Sequence, residues 1–380
     1  MKLGIIVTIM GFAKKGFYHS QDIGLGKELV EEGNQVTIYK CVNHKEKLQY
    51  DRICSNLDIK YIPSMTFGVH GLLEVKYLDK SLEGILVFSD TQMFLKRIFN
   101  YCKLNNIAFV PYVGIAHSFQ QDMKSKVMDI FFKLTTMKVY KKSEVIAKTV
   151  TAKNELQRLG ASNVTVAPVG LDFERLNRNY ESNDKVTIRR EFNYDEKDVI
   201  ISFIARLKQE KRPLDLINIF SSIIDKKNFK LLIVGDGPEK SKIEENITLL
   251  NIEDKVQLIP SVPYEDIWKI HYISDYFVNL RAEEIFGMAV MEGVFYKSAV
   301  AAINAPGPNT ILDGMKGHAL CKSYEEIVSF LCAEYPSEND LDESKMKLET
   351  QFIWKVCAST FINKVDNYKD KIRARDECLV

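Results

Sequence analysis

At 380 residues and 43.6 kDa the chain is too long for one ordinary domain and suits two. Apolar residues make up 46% and charged residues 27%, and its 19 glycines and 10 prolines lie outside any low-complexity run, which excludes a disordered or fibrous protein. The formal net charge of +1 hides an asymmetry, because residues 1–170 carry 23 Lys and Arg against 15 Asp and Glu while the remainder is acidic. A chain divided this way is not expected to wrap nucleic acid, whereas its basic half suits an anionic surface.

The opening MKLGIIVTIMGF places Lys2 before an apolar run, as a leader would. Gly4 and Gly11, however, flank a strand-length stretch with no small-residue cleavage site behind it, so the expectation is a buried first strand and a cytoplasmic protein. No apolar run is long enough for a membrane-spanning helix. Strand-length runs then alternate with helical stretches: NQVTIYK, GILVFS, IAFVPYV and EVIAKT in the first half, VIISFIA, KLLIVGDG, KVQLIPSV, DYFVNL and SAVAAIN in the second. Alternation of this kind predicts an α/β protein with parallel sheets, here two Rossmann-like domains facing a cleft. The predicted boundaries are 1–173, a charged connection over 174–198, a second domain over 199–350, and a C-terminal helix and tail over 351–380 that cross back to the first domain. Ile353, Cys357, Phe361 and Val365 recur four residues apart and mark that helix's apolar face. The cysteines at 41, 54, 102, 321, 332, 357 and 378 form no CxxC pair and are expected to be free thiols.

In such sheets ligands sit outside the carboxyl ends of the strands. After AFVPYV comes GIAHSFQ, with His117 in a strand-end loop. The loop MGFAKKGFY after the first strand offers Gly11 and Gly16 for close approach to a ligand, with Lys14 and Lys15 beside them. From Met123 to Lys142 six lysines (124, 126, 133, 138, 141 and 142) accompany one acid, Asp129, and Val127, Ile130, Phe131, Leu134 and Met137 fall at helical spacing. Either this helix packs its apolar face on the sheet, or it rests on an anionic membrane surface.

In the second half ARLKQEKRP puts Arg206 at a strand end and Lys211 in the loop entering a helix, a cation pair suited to a diphosphate or else simply solvated. RAEEIFGMAVMEG follows a later strand. In it Gly287 permits a tight turn, and the N–H groups of Gly287, Met288 and Ala289 open a helix toward an anion. Glu292 is placed to accept both hydroxyls of a ribose and Glu284 to reach a sugar, although two glutamates near a helix start also serve as N-terminal caps. No His/Cys/Asp cluster has metal-ligand spacing, and the one DxD string, Asp340-Leu-Asp342, lies in the polar stretch PSENDLDESKM and reads as helix capping.

Arg206, Lys211, VGDGPE (234–239), Glu284-x-Phe286-Gly287 and Glu292, together with APVGLDF (167–173) and residues 255–278, resemble in order and spacing the retaining glycosyltransferases of the GT-B fold, family four. The likeness is strong over 145–320 and weak before it. It implies a nucleotide-sugar donor, most commonly UDP-linked, with no other cofactor and no metal. Arg206 and Lys211 would neutralise the diphosphate, Glu292 hold the ribose, and Glu284 contact the transferred sugar. Gly235 would close the neighbouring turn, the backbone over Ile259, Pro260 and Val262 would meet the base, and Gly11, Gly16 and His117 would approach from the other domain. The chain departs from the family pattern at Leu280-Arg281, Pro260, Pro306-Gly307-Pro308 and Thr310. The expectation is a retaining, metal-independent hexosyltransferase acting on a saccharide or lipid-linked acceptor in cell-surface glycan assembly, cytoplasmic and peripheral at the inner face of the plasma membrane. A nucleotide-sugar epimerase or hydrolase of the same fold, and a non-catalytic sugar-binding protein, are the alternatives.

Overall fold

A computed structural model describes residues 1–9, 20–67, 70–90, 94–117, 123–174, 176–177 and 183–377. The chain divides into two units, Met1–Asp172 with Phe352–Val380, and Phe173–Gln351. Both are parallel α/β structures, each with its own sheet.

Unit 1 runs β1 (Lys2–Val7), α1 (Ser20–Glu31), β2 (Gln35–Asn43), β3 (Gln49–Cys54), β4 (Leu57–Phe67), β5 (His70–Leu72), β6 (Gly84–Phe88), α2 (Leu95–Leu104), β7 (Ala108–Val113), α3 (Met123–Leu134), α4 (Thr136–Tyr140), β8 (Val145–Ala147), α5 (Val150–Arg158) and β9 (Val164–Val166). The strand order is β3-β4-β2-β1-β6-β7-β8-β9, with β5 also paired to β4. Only β3 and β5 run antiparallel to their neighbour. The central strands β6 and β7 are buried at every residue, as continuous apolar runs covered on both faces require. β3, with no fully buried residue, is a polar edge strand whose Asp51 and Arg52 discourage further pairing.

The C-terminal helix Trp354–Glu377 belongs to this first unit. Cys357, Phe361 and Val365 are all 0% exposed, so the four-residue spacing marks the face laid on the sheet. Val365 abuts Gly84 so closely that a Cβ there would lie 2.4 Å from it. The chain re-enters the unit through a hydrogen bond from Leu171 N to Phe352 O at 2.9 Å.

The lysine-rich stretch expected as one helix is two, α3 and α4, divided at Thr135, whose hydroxyl donates back to Phe131 O. Its apolar residues do not share one packed face. Phe132, Met137, Val139 and Tyr140 are buried, whereas Met123, Val127, Ile130 and Leu134 are 83%, 62%, 59% and 58% exposed.

Unit 2 carries β10 (Val199–Ile204), β11 (Phe229–Val234), β12 (Val256–Ile259), β13 (Tyr276–Asn279), β14 (Ala299–Ile303) and β15 (Ala319–Cys321), ordered β12-β11-β10-β13-β14-β15 and parallel at every pair. The stretch 174–198, expected as a connection, contributes the helix Lys185–Glu191 to this unit. Asp184 caps the helix through the N–H of Thr187, and Arg189 anchors it. The buried Arg189 guanidinium reaches both oxygens of Asp275 at 2.7 Å and the Ile273 carbonyl, while Asp275 also accepts from Ile200 N on β10.

Removing one partner of a fully buried pair costs about 3–5 kcal/mol, an upper bound here because Lys185 Nζ also lies 3.7 Å from Asp275. Arg189→Ala is therefore expected to destabilise unit 2 by up to that amount in urea unfolding; a loss below about 1 kcal/mol would mean that the segment is only loosely attached.

Candidate functional site

The strand order of the second sheet reverses between β10 and β13, because β11 and β12 extend to one side and β14 and β15 to the other. Loops leaving the carboxyl ends of such a pair diverge and open a crevice. The predicted residues of this half gather there.

After β10, Arg206 is exposed, and Lys211 sits in a short 3-10 turn ahead of the helix Pro213–Ile223, with Arg212 in the left-handed region. The loop is stitched to the turn after β11 by Leu207 N donating to Asp236 O (2.9 Å) and Glu239 N to Leu207 O (3.0 Å). Gly235 N in turn donates to Ile259 O, at the end of β12. The backbone beyond, through Pro260 to Val262, is clamped by Ser261, whose N–H and hydroxyl both donate to Asp236 Oδ2 at 2.8 Å. Those two hydrogen bonds hold the Asp236 carboxyl below its ordinary range.

After β13 comes the turn carrying Glu284. Its carboxylate takes Lys211 Nζ at 2.8 Å and lies 3.6 Å from Arg281, so the loops after β10 and β13 are joined by charge. Gly287, with φ at +93°, caps the helix Met288–Phe295. Val290 and Met291 donate back to Gly287 O, so Met288 and Ala289 occupy the helix-start positions that lack an intrahelical acceptor. Phe286 is buried, so its contribution to a ligand would come from its backbone. Gly307 secures this turn from behind: its N–H donates to Glu284 O at 3.0 Å, and a Cβ on it would lie 2.1 Å from Phe286 O. Pro306-Gly307-Pro308 thus supplies the close backbone approach with a single glycine.

Glu292, in the second turn of the helix, is 5% exposed, with Oε2 3.6 Å from Nε2 of the fully buried His271. Neither ring nitrogen of His271 has a hydrogen-bond partner. His271 and the Asp236–Ser261 clamp are neighbours of the predicted residues that sequence reasoning missed. The signal for the clamp lay in the Asp of VGDGPE, read only for its glycines; nothing in the sequence ties His271 to Glu292.

In unit 1, His117 follows β7, and its Nδ1 pairs with Glu155 on α5, a partner that leaves Nε2 as the nitrogen turned away from that carboxylate. The same edge holds an unpredicted pair, Lys148 after β8 with Asp90 after β6, at 2.9 Å. Lys148 is nearly buried and lies over the rings of Phe88 and Tyr112. Gly11, Gly16, Lys14 and Lys15 lie outside the described residues.

Among the described residues no group of three or more His, Cys, Asp or Glu is arranged to hold a metal ion. Ser337 caps the helix Glu338–Gln351 by accepting from Asp340 N and donates its hydroxyl to Asp340 Oδ2, and Asp342 pairs with Lys297 at 2.9 Å, so both acids of the DxD string have structural partners.

The two sheets and the crevice define a GT-B fold of two Rossmann-like domains. Residues 184–329 match the family described as glycosyl transferases group 1. The chain is 29% identical over 117 residues, 31% of its own length and 30% of the relative's, to N-acetyl-alpha-D-glucosaminyl L-malate synthase of Bacillus anthracis. It is 23% identical over 248 residues, 65% of its length and 57% of the relative's, to the putative teichuronic acid biosynthesis glycosyltransferase TuaC of Bacillus subtilis. These matches thus span about a third to three-fifths of the curated relatives. Among solved structures, Anabaena Alr3699/HepE in complex with UDP and glucose superposes with a TM-score of 0.64 at 12% identity, over 98% of this chain and 100% of that one.

The Gly307 contact is directly testable. A methyl group 2.1 Å from the Phe286 carbonyl oxygen must displace backbone, so Gly307→Ala is expected to cost about 1–3 kcal/mol in thermal unfolding. An unchanged midpoint would show that the Glu284 turn can give way.

Proposed function

We propose that the chain is a retaining glycosyltransferase that needs no metal and moves a hexose-type sugar from a UDP-linked donor to a saccharide or lipid-linked acceptor in cell-surface glycan assembly. What supports this reading is that Arg206 and Lys211 follow β10 while Glu284, the helix start at Gly287 and Glu292 follow β13, the two strands between which the sheet order reverses, and that Lys211 and Glu284 bridge the two loops. In the reaction the bond from the sugar's anomeric carbon to the diphosphate oxygen breaks. The acceptor hydroxyl bonds to that carbon on the same face and passes its proton to the departing diphosphate oxygen. Negative charge grows on the departing diphosphate, where two cations and a helix N-terminus stabilise it without a metal.

Each remaining residue has a role in this scheme. Glu292 accepts the ribose hydroxyls, with the buried His271 3.6 Å behind its carboxylate. The Ile259–Val262 backbone, held by Asp236 and Ser261, takes the base. Glu284, its charge offset by Lys211 and Arg281, accepts hydroxyls of the transferred sugar. His117, oriented by Glu155, acts from the acceptor side. UDP is the nucleotide named with Alr3699/HepE, and teichuronic acid biosynthesis is the role named for TuaC; both support the reading by likeness alone.

Arg206→Ala and Glu292→Ala should each weaken UDP binding in calorimetry by about 1.5–3 kcal/mol, roughly ten- to a hundredfold. Unchanged affinity in both would overturn the donor site. Sugar transfer should persist in EDTA; abolition reversed by Mg²⁺ or Mn²⁺ would overturn the metal-free scheme, and release of free sugar without a transfer product would indicate a hydrolase.

The lipid-linked acceptor and the membrane surface rest on α3, whose exposed Met123, Val127, Ile130 and Leu134 stand beside the exposed Lys126 and Lys133. No helix among the described residues is long and apolar enough to cross a membrane, so contact here means lying on the surface. Lysines near anionic lipid contribute about 1 kcal/mol each and are screened by salt. Replacing Lys124, Lys126, Lys133 and Lys138 with Gln should lower sedimentation with phosphatidylglycerol vesicles, most at low salt, with UDP binding unchanged. A wild type that never sediments would assign a soluble acceptor.

A further inference from the structure

A cavity of about 610 Å³ opens in unit 1 between α2, the start of β7, the loop before β8 and the C-terminal helix. It lies at the amino end of β7, beside Ala108 to Val110, whereas His117 follows the carboxyl end of the same six-residue strand. At about 3.3 Å per residue the two are roughly 20 Å apart along the strand, so the cavity is no part of the edge that holds His117 and Lys148.

Its wall is strongly basic. Lys103, Lys142, Lys364, Lys371 and Arg375 line it against a single carboxylate, Glu144. Glu144 is already engaged, accepting from Lys364 at 3.2 Å and Lys371 at 3.1 Å, and the Lys364 side chain is 8% exposed. Burial raises the Glu144 carboxyl, but those two hydrogen bonds outweigh it and hold the group below its ordinary range. One carboxylate therefore fixes two of the cations that line the cavity. Lys103 and Lys142, both exposed, have no salt bridge among the described residues.

The floor is apolar and aromatic. Phe99 and Phe109 meet edge to face with centroids 5.5 Å apart, and Ile107, Tyr368 and Ile372 complete it. A cavity of this size admits a small organic molecule rather than a bare ion, and a flat ring suits the aromatic surface. A doubly charged phosphate suits the cations at the rim.

We propose that this cavity is a binding site for a soluble phosphate monoester carried on a flat ring, the chemistry of a nucleoside monophosphate or an aryl phosphate, separate from the donor crevice of unit 2. The ring rests on Phe99, Phe109 and Tyr368, and the phosphate faces Lys103, Lys142 and Arg375. Lys364 and Lys371, held by Glu144, form the fixed back wall.

The test is calorimetric titration of the full chain with phenyl phosphate, inorganic phosphate and glycerol 3-phosphate. Wild type should bind phenyl phosphate at least tenfold more tightly than either ring-free ligand. Lys103→Ala/Lys142→Ala/Arg375→Ala should lose at least tenfold of that affinity with its UDP affinity and unfolding midpoint unchanged. The single Lys142→Glu charge reversal, on an exposed loop, should lower it in the same direction. Equal phenyl phosphate affinity in wild type and variants would overturn the site, and equal affinity for the ring-free ligands would overturn the role of the aromatic floor. Binding to phosphatidic acid vesicles that the triple variant loses, without any binding of phenyl phosphate, would replace the proposal with a lipid headgroup site.

Discussion

Lys211 and Glu284 meet at 2.8 Å across the point where the strand order of the second sheet reverses. A carboxylate at that place would by itself repel any anion drawn to the start of the helix Met288–Phe295. The Lys211 ammonium on one side and the Arg281 guanidinium on the other cancel that repulsion, and Arg206 remains as an exposed cation at the mouth. The turn that carries Glu284 must also come close enough for this bridge to form. Gly307 allows it, since no side chain fits between its Cα and the Phe286 carbonyl. Charge and backbone clearance are thus one constraint: if the Glu284 turn lifts, the ion pair and the Gly287 helix start are both displaced.

The same logic orders the other side of the crevice. Asp236 takes two hydrogen bonds from Ser261, and Gly235 N bonds to Ile259 O, so the turns after β11 and β12 move as one piece. The loop after β10 is tied to that piece through Leu207. None of these bonds is strong alone, at about 1 kcal/mol net each. Their value is geometric, since together they fix the backbone over Ile259 to Val262 relative to Arg206 and Lys211.

The sequence made the central strands legible because both faces of a parallel sheet are buried and each strand appears as a largely apolar run, as in GILVF and VIISFI. It left β3, β4 and β5 unread. Their residues alternate or lie exposed, and an antiparallel edge hairpin gives no run to detect. The candidate site was legible where its residues are contiguous at loop and helix starts, as with Arg206 and Lys211 or Glu284 to Glu292. It was illegible where a partner comes from far along the chain: Arg189 finds Asp275 across 86 residues, Lys148 finds Asp90 across 58, and His271 reaches Glu292 from another helix. Charge density alone does not reveal the helix within 174–198, because Arg189 looks like any solvated arginine until its buried partner is known.

Helical spacing has a related limit, and the lysine-rich stretch of unit 1 exposes it. A period of 3.6 says which residues share a stripe, not which way the stripe points. In the C-terminal helix the stripe points inward, because Cys357, Phe361 and Val365 meet a sheet whose Gly84 leaves room for them. In α3 the inward position is taken instead by Phe132, which packs edge to face on Tyr140, itself bonded to Ser89 at the end of β6. With that contact made, Val127, Ile130 and Leu134 must face outward. Fully burying side chains of this kind contributes about 1.5–3 kcal/mol each, so the driving force for covering the stripe is several times RT. The exposed lysines beside it bias what can cover it toward an anionic, apolar surface and against the equally basic face of a second copy of this helix.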